Sequence, residues 1–153
     1  MSANIKTFGL GVFNKSPNVE YKVYENGLYL GNSTLSEHLL LVEIIDKEQT
    51  TFKLHPDTRT IAEFACYKSN MTEVTSWGNN LKTIGYGAFM QSKLTAITLP
   101  NSLETIADSA FKQTKLTSLN FGTGLKAIGY EAFSNCPDLA DVTLPNSLER
   151  IDS

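Results

Sequence analysis

The chain repeats itself, and no other property of the sequence restricts its fold as much. "LTAITLPNSLETI" at residues 94–106 returns as "LADVTLPNSLERI" at 139–151. Leu94, Ile97, Leu99, Pro100, Asn101, Ser102, Leu103 and Ile106 are matched by Leu139, Val142, Leu144, Pro145, Asn146, Ser147, Leu148 and Ile151. A weaker copy, "LTSLNFGTGLKAI" at 116–128, divides the interval between them into steps of 22 and 23. So short a unit cannot bury its own apolar face, so it has to stack on neighbouring copies, and the chain reads as an array.

A recurring dipeptide sets the register. Ala88-Phe89, Ala110-Phe111 and Ala132-Phe133 recur in equal steps, Ala65-Cys66 lies one such step and a single position before the first of them, and Val12-Phe13 belongs to the same series. Residues 1–19 therefore read as a first repeat, 52–147 as the regular repeats and 148–153 as the opening of a truncated one, all within one domain, 1–153. From Phe13 to Cys66 the series is too long by more than a whole period, and 20–51 reads as a small β-excursion projecting near the N-terminal end. "YKVYENGLYLG" alternates about Asn26-Gly27, a strong hairpin signal because both residues tolerate positive φ. "LLLVEIIDKEQTTFKL" supplies two more strand candidates about the polar turn 46–49. The second rejoins the array, since Phe52, Leu54 and Ile61 have the spacing of Ile97, Leu99 and Ile106.

Within one copy, Leu94, Ile97 and Leu99 face inward while Thr98 faces out, the period of a short strand, and Pro100 ends it. Leu103, Ile106, Ala110 and Phe111 then follow at intervals suited to a tight 3₁₀ or short helical return. Stacking predicts a strand-rich α/β solenoid with a parallel sheet on one face, 3₁₀ or helical returns on the other, and a β-hairpin insert.

The units "LTAITLPNSLETIADSAF", "LADVTLPNSLERI" and "IGYEAFSNCPDL" resemble those of the BspA-like (Treponema-type) leucine-rich repeat family of bacterial and protist surface proteins. The likeness covers 5–19 and about 52–151, and "YENGLYLG" resembles a hairpin that interrupts some such arrays. It implies a right-handed horseshoe, a location on the cell surface or in secretions, and an adhesive role toward host or partner proteins. The chain departs from the pattern in two ways. Ser102, Gly124 and Ser147 stand where commoner leucine-rich repeats carry Asn or Cys. The family's cysteine after Ala-Phe occurs once, as Cys136, with Ser16, Ser69, Ser92 and Thr114 in its place elsewhere.

The formal net charge of −3 gives no electrostatic reason to expect nucleic acid or an anionic membrane as partner. The longest apolar run, "LLLVEII", is broken by Glu43 and falls well short of the ~18 residues of a membrane helix. "MSANIKTFGLGVF" lacks the pattern of a signal peptide, and its first residues read as a short lead before sequence already in the repeat pattern. No metal-ligating, phosphate-cradling or triad spacing occurs, and neither His38 nor His55 has a nucleophile or carboxylate at a catalytic spacing, so no catalytic residue, metal site or cofactor is predicted. Cys66 and Cys136 lie three turns apart, roughly 14 Å at ~4.8 Å per turn, too far for a disulfide. The triplets beginning at Asn14, Asn32 and Asn70 match the glycosylation sequon, a common chance match.

The residues free to specify a partner are those projecting from the stacked strands, the concave face of a horseshoe. They are Lys53, Thr75, Thr98, Asn120 and Thr143 at one position and Glu73 and Asp141 two residues earlier, with His55 and Trp77 placed where other copies carry Pro100 and Pro145. Two readings stay open: polar β-formers that merely solvate a sheet, or a recognition surface on which Trp77 is the hot spot. Trp77 could equally cover the join with the insert. The preferred function is a non-catalytic protein-recognition module of an adhesin-like protein. The alternatives are a recognition or spacer segment of a larger surface enzyme, and an intracellular scaffold. The last copy, opening at "LERIDS", predicts an uncovered end, with weak self-association or fraying after about 145.

Overall fold

The computed structural model describes residues 20–32 and 36–152. The first repeat predicted over 1–19, with Val12-Phe13 and the Asn14 triplet, lies outside them, as do Ser33 and Thr34. Among the described residues twelve strands follow one another: β1 Lys22–Tyr24, β2 Gly27–Asn32, β3 Ser36–Ile44, β4 Thr51–Lys53, β5 Thr60–Ile61, β6 Glu73–Ser76, β7 Thr83–Ile84, β8 Ala96–Thr98, β9 Thr105–Ile106, β10 Ser118–Asn120, β11 Ala127–Ile128 and β12 Arg150–Ile151. They wind into a solenoid of about five turns.

The longest sheet runs along the return side, opposite to where the repeat pattern puts it. Its eight strands are ordered β1-β2-β3-β5-β7-β9-β11-β12, with Ile61, Ile84, Ile106, Ile128 and Ile151 in parallel register. The other face, expected to carry the sheet, holds two separate parallel pairs, β4–β6 and β8–β10.

The helical returns are the expectation the structure overturns, and no described residue is helical. Along each return, N–H groups alternate between two partners. Tyr67 and Ser69 bond to carbonyls three residues back (Phe64 and Cys66), whereas Cys66 and Lys68 bond across to Ala88 and Met90 of the next turn. Phe89 to Ala110, Gln91 to Lys112 and Phe111 to Ala132 repeat the crossing bonds at 2.8–2.9 Å. A helix needs all its N–H groups for its own i−4 carbonyls, so a return that shares them with its neighbour becomes a string of tight turns. Positive φ at Lys68, Gln91, Gln113 and Asn135, and at Phe64, Gly87, Ser109 and Glu131, breaks the right-handed run twice per turn.

The core is a stack of like residues. Phe89, Phe111 and Phe133 lie face to face with centroids 5.2 Å apart at both steps. Ser69, Ser92, Thr114 and Cys136 form a column beside them, where Cys136 Sγ donates to the Phe111 carbonyl and contacts Thr114 Oγ1 at 3.2 Å. Both cysteines are free thiols, and burial pushes the Cys66 thiol up.

The excursion is part of the stack instead of a projection from it. The hairpin forms, β1 antiparallel to β2, but Gly27 already pairs with Tyr24, so the turn falls on Glu25 and Asn26 and the positive φ, 49°, on Glu25 instead of Asn26 or Gly27; β2 continues antiparallel onto β3. Yet β3 then pairs in parallel with β5, Leu40 with Thr60 and Leu41 with Ile61. Ile44 N–H bonds to the Ala65 carbonyl as Cys66 N–H bonds to that of Ala88, so Ile44 holds the Ala-Phe register one period before Cys66. The array therefore reaches back to about Leu40, and the hairpin lies against its first described turn with Tyr29, Leu30, Leu40, Leu41 and Ile44 in the core.

Candidate functional site

Lys53, Glu73, Thr75, Thr98, Asn120, Asp141 and Thr143 are all exposed. Inward Phe52 and Ile97, both buried, hold the first strands in place, and the outward residues between them project because a strand alternates its faces. Register pairs Thr51 with Glu73, Ala96 with Ser118 and Thr98 with Asn120, as the spacing requires. Asp141 and Thr143 lie on the same series but in a stretch without strand structure.

Three shallow depressions follow this face. The central one, about 580 Å³, is bordered by Glu73, Thr75, Trp77, Thr98, Ser118 and Asn120 among others. Asn120 also borders a second, of about 610 Å³, with Thr123, Thr143 and Asn146. Thr75 borders a third, of about 230 Å³, with Lys53, Gln49 and the hairpin-turn residues Glu25 and Asn26. The contribution of the hairpin turn was not legible in the sequence, because it depends on how the hairpin docks. Asn26 is fixed there by bonds in both directions with the Asp46 backbone, each 2.7 Å. Along the flank of the strands, Thr72, Thr95 and Thr117 each donate Oγ1 to the carbonyl of the threonine one turn earlier, so those hydroxyls are committed to the stack.

Trp77 does not stand at the proline position. Lys53 pairs with Ser76, not Thr75, because a bulge inserts one extra residue into β6. Leu54 N–H then bonds to the Ser76 carbonyl as Leu99 N–H bonds to that of Asn120, which makes Trp77 the counterpart of Leu54, Leu99 and Phe121. The indole is buried and meets Phe89 edge-on at 5.5 Å, as Phe121 meets Phe133 at 5.8 Å. It is a core aromatic whose edge reaches the groove. The available signal was the spacing, since Val74 to Ile97 is one position longer than Trp77 to Leu99. The residue at Pro100's position is Gly78, at φ +66°, seated against Pro56. His55 stands apart from the strand face, half-buried among Tyr24, Tyr29 and His38.

Among the described residues no group of three or more His, Cys, Asp or Glu could hold a metal ion, and no helix is long and apolar enough to cross a membrane. The face thus offers hydroxyl, amide and a few charged groups on a stiff backbone. A family model described as "BspA type Leucine rich repeat region (6 copies)" matches residues 59–153. The chain belongs to the BspA-type leucine-rich repeat family.

Solved structures resemble it across most of its length. The T. pallidum leucine-rich repeat protein TpLRR is 26% identical with a TM-score of 0.70, over 88% of this chain and 62% of that one. A leucine-rich repeat protein from Bacteroides ovatus is 23% identical with a TM-score of 0.67, over 85% and 40% of the two chains. The pneumococcal vaccine antigen PcpA is 21% identical with a TM-score of 0.66, over 88% and 34%. The last two likenesses show the fold. The chain spans 62% of the length of TpLRR and less of the others. No curated protein matches it.

Proposed function

We propose that this chain is a non-catalytic protein-recognition module whose exposed strand face binds a host or partner protein, as part of an adhesin-like protein on the cell surface or in secretions. One observation carries the reading: six exposed side chains, Lys53, Glu73, Thr75, Thr98, Asn120 and Thr143, border three adjoining depressions of one face. Membership of the BspA-type family and likeness to a vaccine antigen support it. Parallel pairing of the strands that carry Lys53, Glu73, Thr98 and Asn120 leaves those residues little freedom to lose, so binding there has a low ordering cost. Exposed Val142, Leu144 and Ile151 support weak self-association through the C-terminal turn.

The reading is tested with a panel of purified extracellular matrix and serum proteins, measured by biolayer interferometry against the chain and a Thr98→Arg/Asn120→Arg variant. A saturable partner that the variant loses by at least about tenfold, with an unchanged melting temperature, supports the strand face. Unchanged binding by the variant moves recognition off this face. A second reading is a recognition or spacer segment of a larger surface enzyme. An intracellular scaffold is the third. Hydrolase activity in the full-length protein supports the second, and the absence of export the third.

A further inference from the structure

The chain has two histidines, and they stack on each other. The His38 ring, from β3, and the His55 ring, just after β4, lie 4.0 Å apart with planes inclined by 12°. Tyr24 of β1 meets His55 edge-on at 4.6 Å and His38 at 6.1 Å, and Tyr29 of β2 meets His38 at 5.4 Å. Tyr29 Oη also accepts the His55 backbone N–H at 3.3 Å, and Thr58 Oγ1 donates to the His38 carbonyl at 3.0 Å. Four rings thus tie the β1–β2 hairpin to β3 and to the stretch just after β4.

The arrangement suits an uncharged His55 ring. His55 Nδ1 accepts the Asp57 N–H at 3.2 Å, which uses its lone pair and leaves the proton on Nε2. The His55 side chain is 18% exposed, so a charge there loses hydration, and a second charge on His38 would face it at stacking distance. Both effects, burial first, hold His55 below the usual imidazole range, while the Asp57 carboxylate at 4.0 Å acts in the opposite direction. Tyr29 in turn is faced by Tyr24, Glu25 and Cys66. Burial pushes Tyr29 and Cys66 up, so both stay neutral, and among the described residues the carboxylate acting on the His55 ring is that of Asp57.

We propose that the stacked histidines form an acid-sensitive clasp, in which protonation of His55 releases the β1–β2 hairpin from the array and uncovers Tyr29, Leu30 and the paired edge of β3. The sign follows from linkage. A group held below its unfolded value binds protons more readily in the released state, so its stabilising contribution is intact above about pH 6.5 and declines as pH falls through the lowered value.

Amide hydrogen exchange on the full chain tests this, corrected for intrinsic rates, between about pH 7.5 and about pH 5. Protection of Lys22–Tyr24 and Gly27–Asn32 is expected to fall at least about tenfold more than that of Thr83–Ile84 and Thr105–Ile106, and His55→Gln is expected to abolish that difference. Equal loss in both regions, no loss, or the same pH dependence in a folded His55→Gln variant overturns the clasp. Should that variant fail to fold, titration of the His55 ring by NMR in the wild type and in His38→Gln decides. A midpoint below the ordinary histidine value that rises when His38 is replaced supports it, and an ordinary or unmoved midpoint overturns it.

Discussion

At the hairpin end Tyr29 and Leu41 are fully buried, whereas at the C-terminal turn Val142, Leu144 and Ile151 are 44%, 49% and 53% exposed. The last three occupy the positions of Ile97, Leu99 and Ile106, which are at most 5% exposed two turns earlier. The same kind of side chain at the same place in the repeat is core in one copy and surface in another. Burial in a solenoid comes from the neighbouring turn, and a copy with a neighbour on one side only keeps part of its apolar surface in water. The hairpin supplies such a neighbour at one end by turning antiparallel across β3. Beyond the edge strand β12 no described strand plays that part.

This contrast can be broken by mutation. Phe111→Ala, in the middle of the ring stack, is expected to destabilise the chain by about 3–5 kcal/mol in urea unfolding, and a loss under about 1 kcal/mol would mean that the stack is not the stabilising column. Leu99→Ala and Leu144→Ala sharpen it, because they remove the same atoms from equivalent positions. The first should cost about 2–5 kcal/mol and the second under about 1 kcal/mol, and equal costs would show that the C-terminal turn is covered in solution. Leu144→Lys with Ile151→Lys should leave the urea midpoint nearly unchanged while removing any concentration-dependent association seen by analytical ultracentrifugation.

Acidification separates the ends in a different way. Lowering the pH from about 7.5 to about 5 should reduce the urea midpoint of the wild type more than that of His55→Gln, since only the wild type keeps an imidazole held below its ordinary value. Equal slopes in the two proteins would remove the histidine pair from the stability of the hairpin end. The smallest effect belongs to the strand face. Thr98→Ala with Asn120→Ala should change stability by no more than about 0.5 kcal/mol, leaving those side chains free for recognition, and a larger cost would make them structural.

The short period by itself determined that the chain is a stack and, in the regular copies such as 94–111, which residues face inward and which project. Periodicity carries that much because each copy must present the same apolar points to its neighbour. Tertiary structure decided the rest. Whether a return becomes helix or turns depends on where its N–H groups bond, and the crossing bonds to the next turn settle it as turns. Whether Trp77 is a hot spot or core depended on one bulged residue in β6, which a side-chain alternation cannot distinguish from an ordinary step. Whether 20–51 projects or packs depended on β3 finding β5, a pairing that left a trace only in the one-period step from Ile44 to Cys66. The meeting of His38 with His55 had no sequence signal, because two residues on separate strands acquire a common surface only after the hairpin has docked.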